Sequence, residues 1–224
     1  MKIKALIAVR SGSERVVNKN LRPFAGANLL ELKIKQLKTI KELDGIVVNS
    51  NDDRMLEIAS KLSVETVKRD QYFASNSVSM SEVYKNMAEN IDTDIIMYSN
   101  VTNPLVETES YITAIRTFME ISDKFDSLNS AHLLKEFMFL DNKPINYDLS
   151  NQPRSQDLPN IYALNFAISI LFRDNMLKNK NVIGIKPYMY ELSEIEAVDI
   201  DTQFDFFIAE QLYKKIVLDK QPLI

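Results

Sequence analysis

The chain has 224 residues, a net charge of −4, 46% hydrophobic and 26% charged residues, and no cysteine. That length suits one large domain, able to bury roughly 70 to 75% of its unfolded surface. The acidic balance argues against a duplex nucleic-acid binder, the missing cysteines exclude disulfides, thiolate zinc centres and cysteine nucleophiles, and no window reaches the roughly 18 apolar residues of a membrane helix.

In chain order, MKIKALIAVR has an apolar core too short for a secretory leader and no small-residue cleavage site after it, so Ala5 to Val9 is expected as a first strand and the cytoplasm as the compartment. Val9 to Phe24 then sets Arg10, Arg15, Lys19 and Arg22 against Glu14, a local charge of about +3 in an acidic protein. Holding like charges together is costly unless an anion sits among them. Gly12 and Gly26 bracket this loop, and a turn at Gly12 would let backbone N–H groups and the Arg10 and Lys19 heads converge on phosphate oxygens. The spacing matches neither the GxxxxGK[ST] nor the GxGxxG phosphate loop.

Leu29 to Ile40, Arg54 to Leu62, Val83 to Ile91 and Tyr111 to Ile121 have helical apolar spacing, and they alternate with strand-like runs at Gly45 to Val48 and Ile95 to Tyr98. Repeated βα units imply a largely parallel sheet covered on both faces, with ligands outside the carboxyl ends of the strands. That rule gathers Arg10 to Arg22, Asn49 to Asp52 and Ser99 to Pro104 on one edge. Residues 133–160, rich in proline and carrying Phe137-Met138-Phe139, read as an inserted hairpin arm within a single domain of residues 1–224. An arm so thin is expected to pack on a second subunit.

Tyr162 to Phe172 reads as a long buried strand. Glu196 to Asp199 leads into a final helix from Phe204 to Val217, with Phe204, Phe207 and Ile208 expected in the core. From Glu191 to Asp205 there are six carboxylates and no Lys or Arg. Asp199 and Asp201, alternate residues at a strand end, can both reach one cation, and oxygen ligands of this kind suit Mg²⁺ shared with phosphates. Asp205 has capping-box spacing from Thr202, and Ser79 has N-cap form before Glu82. His132, the lone histidine, is assigned no role.

Arg10 to Pro23, R-S-G-S-x-R-x-x-x-K-N-L-R-P after a first strand, resembles the N-terminal signature of the acylneuraminate cytidylyltransferases. The resemblance runs in order to about Glu210 through Arg69, Ala74 to Ser79, Asn100 to Leu105, Gln152-Pro153-Arg154, Asn165 and Val198-Asp199-Ile200-Asp201-Thr202. It implies a three-layer αβα, Rossmann-like fold of the nucleotide-diphospho-sugar transferase type, a homodimer, and coupling of CTP to a nonulosonic (sialic-type) acid with Mg²⁺, giving a CMP-sugar and pyrophosphate. By resemblance, Arg10, Lys19 and Asp201 are catalytic, and Arg10, Ser11, Gly12, Arg15, Lys19, Asn20, Arg69 and Ser79 bind the nucleotide. Asn100, Thr102, Lys135, Arg154 and Asn165 face the sugar acid, and Asp199 and Asp201 hold the metal. Val106 and Ala163 stand where relatives often have arginine, so a legionaminic-, pseudaminic- or Kdo-like acceptor stays open beside N-acetylneuraminate. A non-catalytic nucleotide- or sugar-binding relative and a scaffolding protein using the arm are the alternatives.

Overall fold

The computed structural model describes residues 1–222. In chain order its main elements are β1 (Ile3–Ala8), α1 (Leu29–Leu37), β2 (Gly45–Ser50), α2 (Asp53–Lys61), β3 (Glu65–Lys68), α3 (Met80–Glu89) and β4 (Ile95–Tyr98). They continue with α4 (Thr108–Ile121), β5 (Ser127–Leu134), β6 (Ile161–Phe172), α5 (Arg173–Asn179), β7 (Pro187–Glu191) and α6 (Gln203–Tyr213). The strands form one seven-stranded sheet in the order β7-β5-β6-β4-β1-β2-β3. Only β6 runs antiparallel to its neighbours.

Strand alternation divides the core in two. Ala5 and Ile7 of β1, Ile46 and Val48 of β2, and Ile95 and Met97 of β4 pack in a cluster with α1, α2, α4 and α6. Leu6, Val47, Ile96 and Tyr98 from the same strands join α3 and α5 on the other face. Because both faces are covered, these strands read as continuous apolar runs in the sequence. The expected three-layer, mostly parallel fold is therefore observed.

Several elements differ from expectation. β3, β5 and β7 had no reading as strands, and α1 ends at Leu37, short of Ile40. No strand precedes Asp199: residues 192–202 form a turn and an extended connection, fixed where the Ile200 amide donates to the Thr102 carbonyl at 3.0 Å. Phe204 and Phe207 are not core residues, being 72% and 58% exposed. The cause is packing: α6 turns Phe206 and Ala209 to the core, and helical spacing then carries Phe204 and Phe207 to solvent. Phe24 packs edge-on against Phe206 and Tyr213, with ring centroids 5.4 and 5.5 Å apart. After α6 the chain adds a π-helical turn over Lys214–Leu218.

The arm contains a two-stranded hairpin, Phe139–Leu140 against Lys143–Pro144. Its turn residues Asp141 and Asn142 both take positive φ, the geometry of the tight hairpin turns that match strand twist. Phe137 is half-buried against Tyr147, while Phe139, Leu140, Ile145 and Leu149 are exposed.

A charged group is buried between helices of the core. Lys33 of α1 is 2% exposed, and its ammonium donates to the Asn103 carbonyl at 3.0 Å, the Tyr111 hydroxyl at 2.5 Å and Gln36 Oε1 at 3.3 Å. Burial without a carboxylate partner pulls its pKa down to about 7 from 10.5. Below pH 7 both folded and unfolded chains hold this proton. Between pH 7 and 10.5 the unfolded chain holds it more often, so this group makes stability rise with pH across that window. Lys33→Met lacks the effect. The stability difference, mutant minus wild type, should fall by about 2 kcal/mol between pH 6.5 and pH 9 in urea titrations, since one pKa unit corresponds to about 1.4 kcal/mol.

Candidate active site

The carboxyl ends of β1, β2 and β4 place the three expected loops on one edge of the sheet. After β1 the chain turns at Gly12, whose φ of +84° favours glycine even though a Cβ there would meet open space. The Ser11 amide donates to Asn51 Oδ1 at 3.1 Å, and Asn51 Nδ2 donates back to Ser11 Oγ at 3.0 Å, so the β2 loop holds the β1 loop. Asn20 is buried and donates to the Arg10 carbonyl at 3.2 Å. This framework encloses a cavity of about 400 Å³ lined by Arg10, Gly12, Arg15, Lys19, Asn20 and Asn76.

A second cavity of about 350 Å³ shares Arg10 and Asn76 with the first. Its walls are largely apolar, with Phe73, Val78, Val83, Met87 and Tyr98, and Arg69 supplies a buried guanidinium. Asn49 fixes that guanidinium, accepting from Nε at 2.5 Å through its side chain and from an Nη at 3.0 Å through its carbonyl. Burial, with Arg10 nearby, lowers the Arg69 pKa to about 10, so it stays cationic at neutral pH. A polar cavity rich in cations beside an apolar slot with a fixed donor suits a phosphorylated heterocycle. Arg10 spans the two and donates to the Ala74 carbonyl at 2.7 Å.

Downstream, Asp201 meets two of the cations that line the first cavity. Arg15 donates to Asp201 Oδ1 at 2.7 Å, and Lys19 Nζ lies 3.6 Å from the same oxygen while donating to the Ile200 carbonyl at 2.5 Å. Arg22 adds a bond to Gln203 Oε1 at 2.6 Å and stacks 4.6 Å over Phe206. Exposed ion pairs such as Arg15–Asp201 are worth little to stability, so a phosphate can replace the carboxylate at small cost.

Asp199 has one buried carboxylate oxygen, Oδ1, without a partner. Burial raises its pKa and the Asp201 charge adds to the rise, while the Thr102 side chain and Lys19 oppose it. An orphaned, partly desolvated carboxylate with a second carboxylate two residues on fits Mg²⁺ as a donor pair. No group of three or more metal-ligating side chains exists among the described residues, so phosphate oxygens and water would complete the shell.

Asn165 lies where β6 shifts register against β5, next to Phe166 at φ +54°. Its Oδ1 accepts from Ser130 Oγ at 2.5 Å and from the Ala167 amide at 3.2 Å. Since a backbone N–H can only donate, the oxygen is committed, and the buried Nδ2 is left as an unpartnered donor. Asn100 and Thr102 are half-buried on the β4 loop. Asn103 donates to the Val198 carbonyl at 3.3 Å.

Three predicted residues have local partners instead. Ser79 caps α3 and exchanges hydrogen bonds with Glu82. Lys135 donates to the Leu158 carbonyl at 2.5 Å, tying down the base of the arm, and the exposed Arg154 forks onto Asp157. Asn49, Asn51 and Asn76 were gathered from sequence only within Asn49 to Asp52 and Ala74 to Ser79, with no role given to any of them. Their signal was position alone: Asn49 and Asn51 border the carboxyl end of β2, and Asn76 follows the aromatic turn Tyr72–Ala74.

The cytidylyltransferase family model matches residues 4–221. The chain is 26% identical over 226 residues to post-translational flagellin modification protein B of Campylobacter coli, with 95% of each chain covered. It is 26% identical over 223 residues to CMP-N,N'-diacetyllegionaminic acid synthase of Campylobacter jejuni, with 94% of each covered. Among solved structures it resembles CMP:2-keto-3-deoxy-manno-octonic acid synthetase complexed with CTP, with a TM-score of 0.72 and 12% identity, covering 97% of this chain and 100% of that one. With a cation-lined loop after the first strand, a carboxylate pair brought against it, and a family match across nearly its whole length, this chain belongs to the cytidylyltransferase family.

Proposed function

We propose that the protein couples CTP to a nonulosonic, sialic-type acid. The anomeric hydroxyl attacks the α-phosphorus, the bond from that phosphorus to the bridging oxygen breaks, pyrophosphate leaves, and a CMP-sugar forms. The observation that carries this reading is the 3.6 Å approach of Lys19 to Asp201 beside the cavity that holds Arg69.

Phosphoryl transfer asks mainly for alignment and charge neutralisation. The cytosine would lie in the apolar slot with Arg69 on its edge. Arg10, Arg15, Lys19, the Gly12 turn and Ser11 would hold the triphosphate, and Asn20 would keep the Arg10 backbone in place. Asp199 and Asp201 would hold Mg²⁺, which neutralises phosphate charge and acidifies the attacking hydroxyl when bound. The free Asn165 donor, with Asn100 and Thr102, would meet acceptor groups of the sugar acid. Lys135 and Arg154 on the arm remain our candidates for its carboxylate, with Ser79 at the nucleotide rim.

The reading extends to a cytoplasmic homodimer. No helix among the described residues is long and apolar enough to cross a membrane. The exposed Phe139, Leu140, Ile145 and Leu149 on a thin arm support pairing with a second copy. Leu140→Asp with Ile145→Asp should convert the dimer to monomer in sedimentation velocity, and a monomeric wild type would remove the proposal.

The decisive measurement is calorimetry with CTP and Mg²⁺, followed by pyrophosphate release with a panel of N-acetylneuraminate, legionaminic-, pseudaminic- and Kdo-like acids. Binding with release for one nonulosonic acid is expected. Binding without release for any acid would indicate a non-catalytic binder, and release only with a Kdo-like acid would move the acceptor class.

A further inference from the structure

Lys33 takes no part in the chemistry assigned above, yet it lies directly beneath it. A buried ammonium is an expensive way to join two helices, since an apolar side chain of similar length would pack there without desolvating a charge. What an apolar residue cannot do is hold a backbone carbonyl, and Lys33 holds that of Asn103 at 3.0 Å. Asn103 in turn donates to the carbonyl of Val198, the residue before Asp199, and the neighbouring Thr102 carbonyl accepts from the Ile200 amide between the two aspartates.

The network also runs the other way. Lys33 meets the Tyr111 hydroxyl, which shares a hydrogen bond of 3.2 Å with Ser99 Oγ, and Ser99 donates to the Ala167 carbonyl at 3.1 Å, inside the irregularity that presents Asn165. Gln36, one turn along α1 from Lys33, donates to the Val106 carbonyl at 2.5 Å and fixes the far end of the same loop. The ammonium therefore sits where α1, α4 and the β4 loop meet, with Asn103 between it and the carboxylate segment and Tyr111 and Ser99 between it and the acceptor side.

We infer that Lys33 is a positioning residue for the transferase reaction: through Asn103 it sets the segment that carries Asp199 and Asp201, and through Tyr111 and Ser99 it braces the Asn165 bulge. This rests on the reading of Asp199 and Asp201 as metal-holding carboxylates. The nucleotide cavities are lined by the β1 loop, the segment after β3, α3 and Tyr98 of β4, and Lys33 lines neither.

The test compares wild type, Lys33→Met and the milder Tyr111→Phe in three measurements: CTP affinity without divalent metal, Mn²⁺ affinity of the CTP complex by electron paramagnetic resonance, and turnover. Removing a residue that orients metal ligands typically weakens metal binding about 10- to 100-fold. Lys33→Met should lose about 10-fold or more in Mn²⁺ affinity and in kcat, with metal-free CTP affinity within about twofold of wild type. Tyr111→Phe should show the same split, about threefold. Mn²⁺ affinity unchanged in both variants, or CTP and Mn²⁺ affinity falling together, would overturn the positioning role and leave Lys33 a core residue. If Lys33→Met does not fold, Tyr111→Phe decides by the same criteria. A wild-type CTP complex that takes up no Mn²⁺ would instead overturn the metal reading on which the inference rests.

Discussion

Lys19→Ala should slow pyrophosphate release by about 10²- to 10³-fold, the usual cost of removing one aligned charge-stabilising donor from a transferring group. Its ammonium is largely covered, bonded to the Ile200 carbonyl and poised near Asp201, so it is held on the cavity wall before any ligand arrives. Such preorganisation makes the loss large, because no neighbouring side chain is placed to take over. Arg15 is more exposed and already turned towards Asp201. The fold should survive: thermal melting of Lys19→Ala should stay within a few degrees of wild type, since weakly buried ion pairs contribute about 1 kcal/mol or less. Near wild-type turnover in this variant would remove Lys19 from the mechanism.

Asp201→Asn separates two effects of opposite sign. The substitution keeps the shape and removes a negative charge that faces Arg15 and Lys19. With one of the two carboxylates proposed to hold the metal gone, Mg²⁺-dependent turnover should fall by about 10²-fold or more. Without divalent metal, CTP binding should instead hold steady or tighten, because the triphosphate no longer competes with a fixed carboxylate for the same two cations. Parallel titrations with and without Mg²⁺ would show the crossing. Equal weakening under both conditions would mean that Asp201 serves the loop's structure and not the metal.

The parts of the fold legible in the sequence were those in which burial on both faces forces a continuous apolar run. β1, β2 and β4 were visible for that reason. β5 buries Asn129 and Ser130 in its middle, Ser130 bonded to Asn165 and Ile168 of β6 and Asn129 donating to the Ile183 carbonyl, and a polar strand has no apolar signature to read. β3 and β7 lie at the two edges of the sheet and are short. α6 was found, but its inward face was not. Phe204 and Phe207 are as apolar as Phe206, and only the packing of Phe206 on the distant Phe24 tells them apart.

At the site, charge and glycine made the basic loop conspicuous, and the run without cations made the aspartates so. The uncharged asparagines that orient these groups left no comparable mark. Asn49 matters because it holds Arg69 and Asn51 because it holds Ser11, relations that exist only after the chain has folded. Lys33 was hidden for a further reason: in a helix pattern, a lysine reads as a solvated position.

The contact between Arg15 and Asp201 joins residues 186 apart in sequence. During synthesis the amino-terminal end emerges first. The cationic loop must therefore wait, without Asp201, until the 186 residues that lead up to it have followed. A nascent or prematurely terminated chain could own a triphosphate-attracting surface yet lack any means of turning over what it captured.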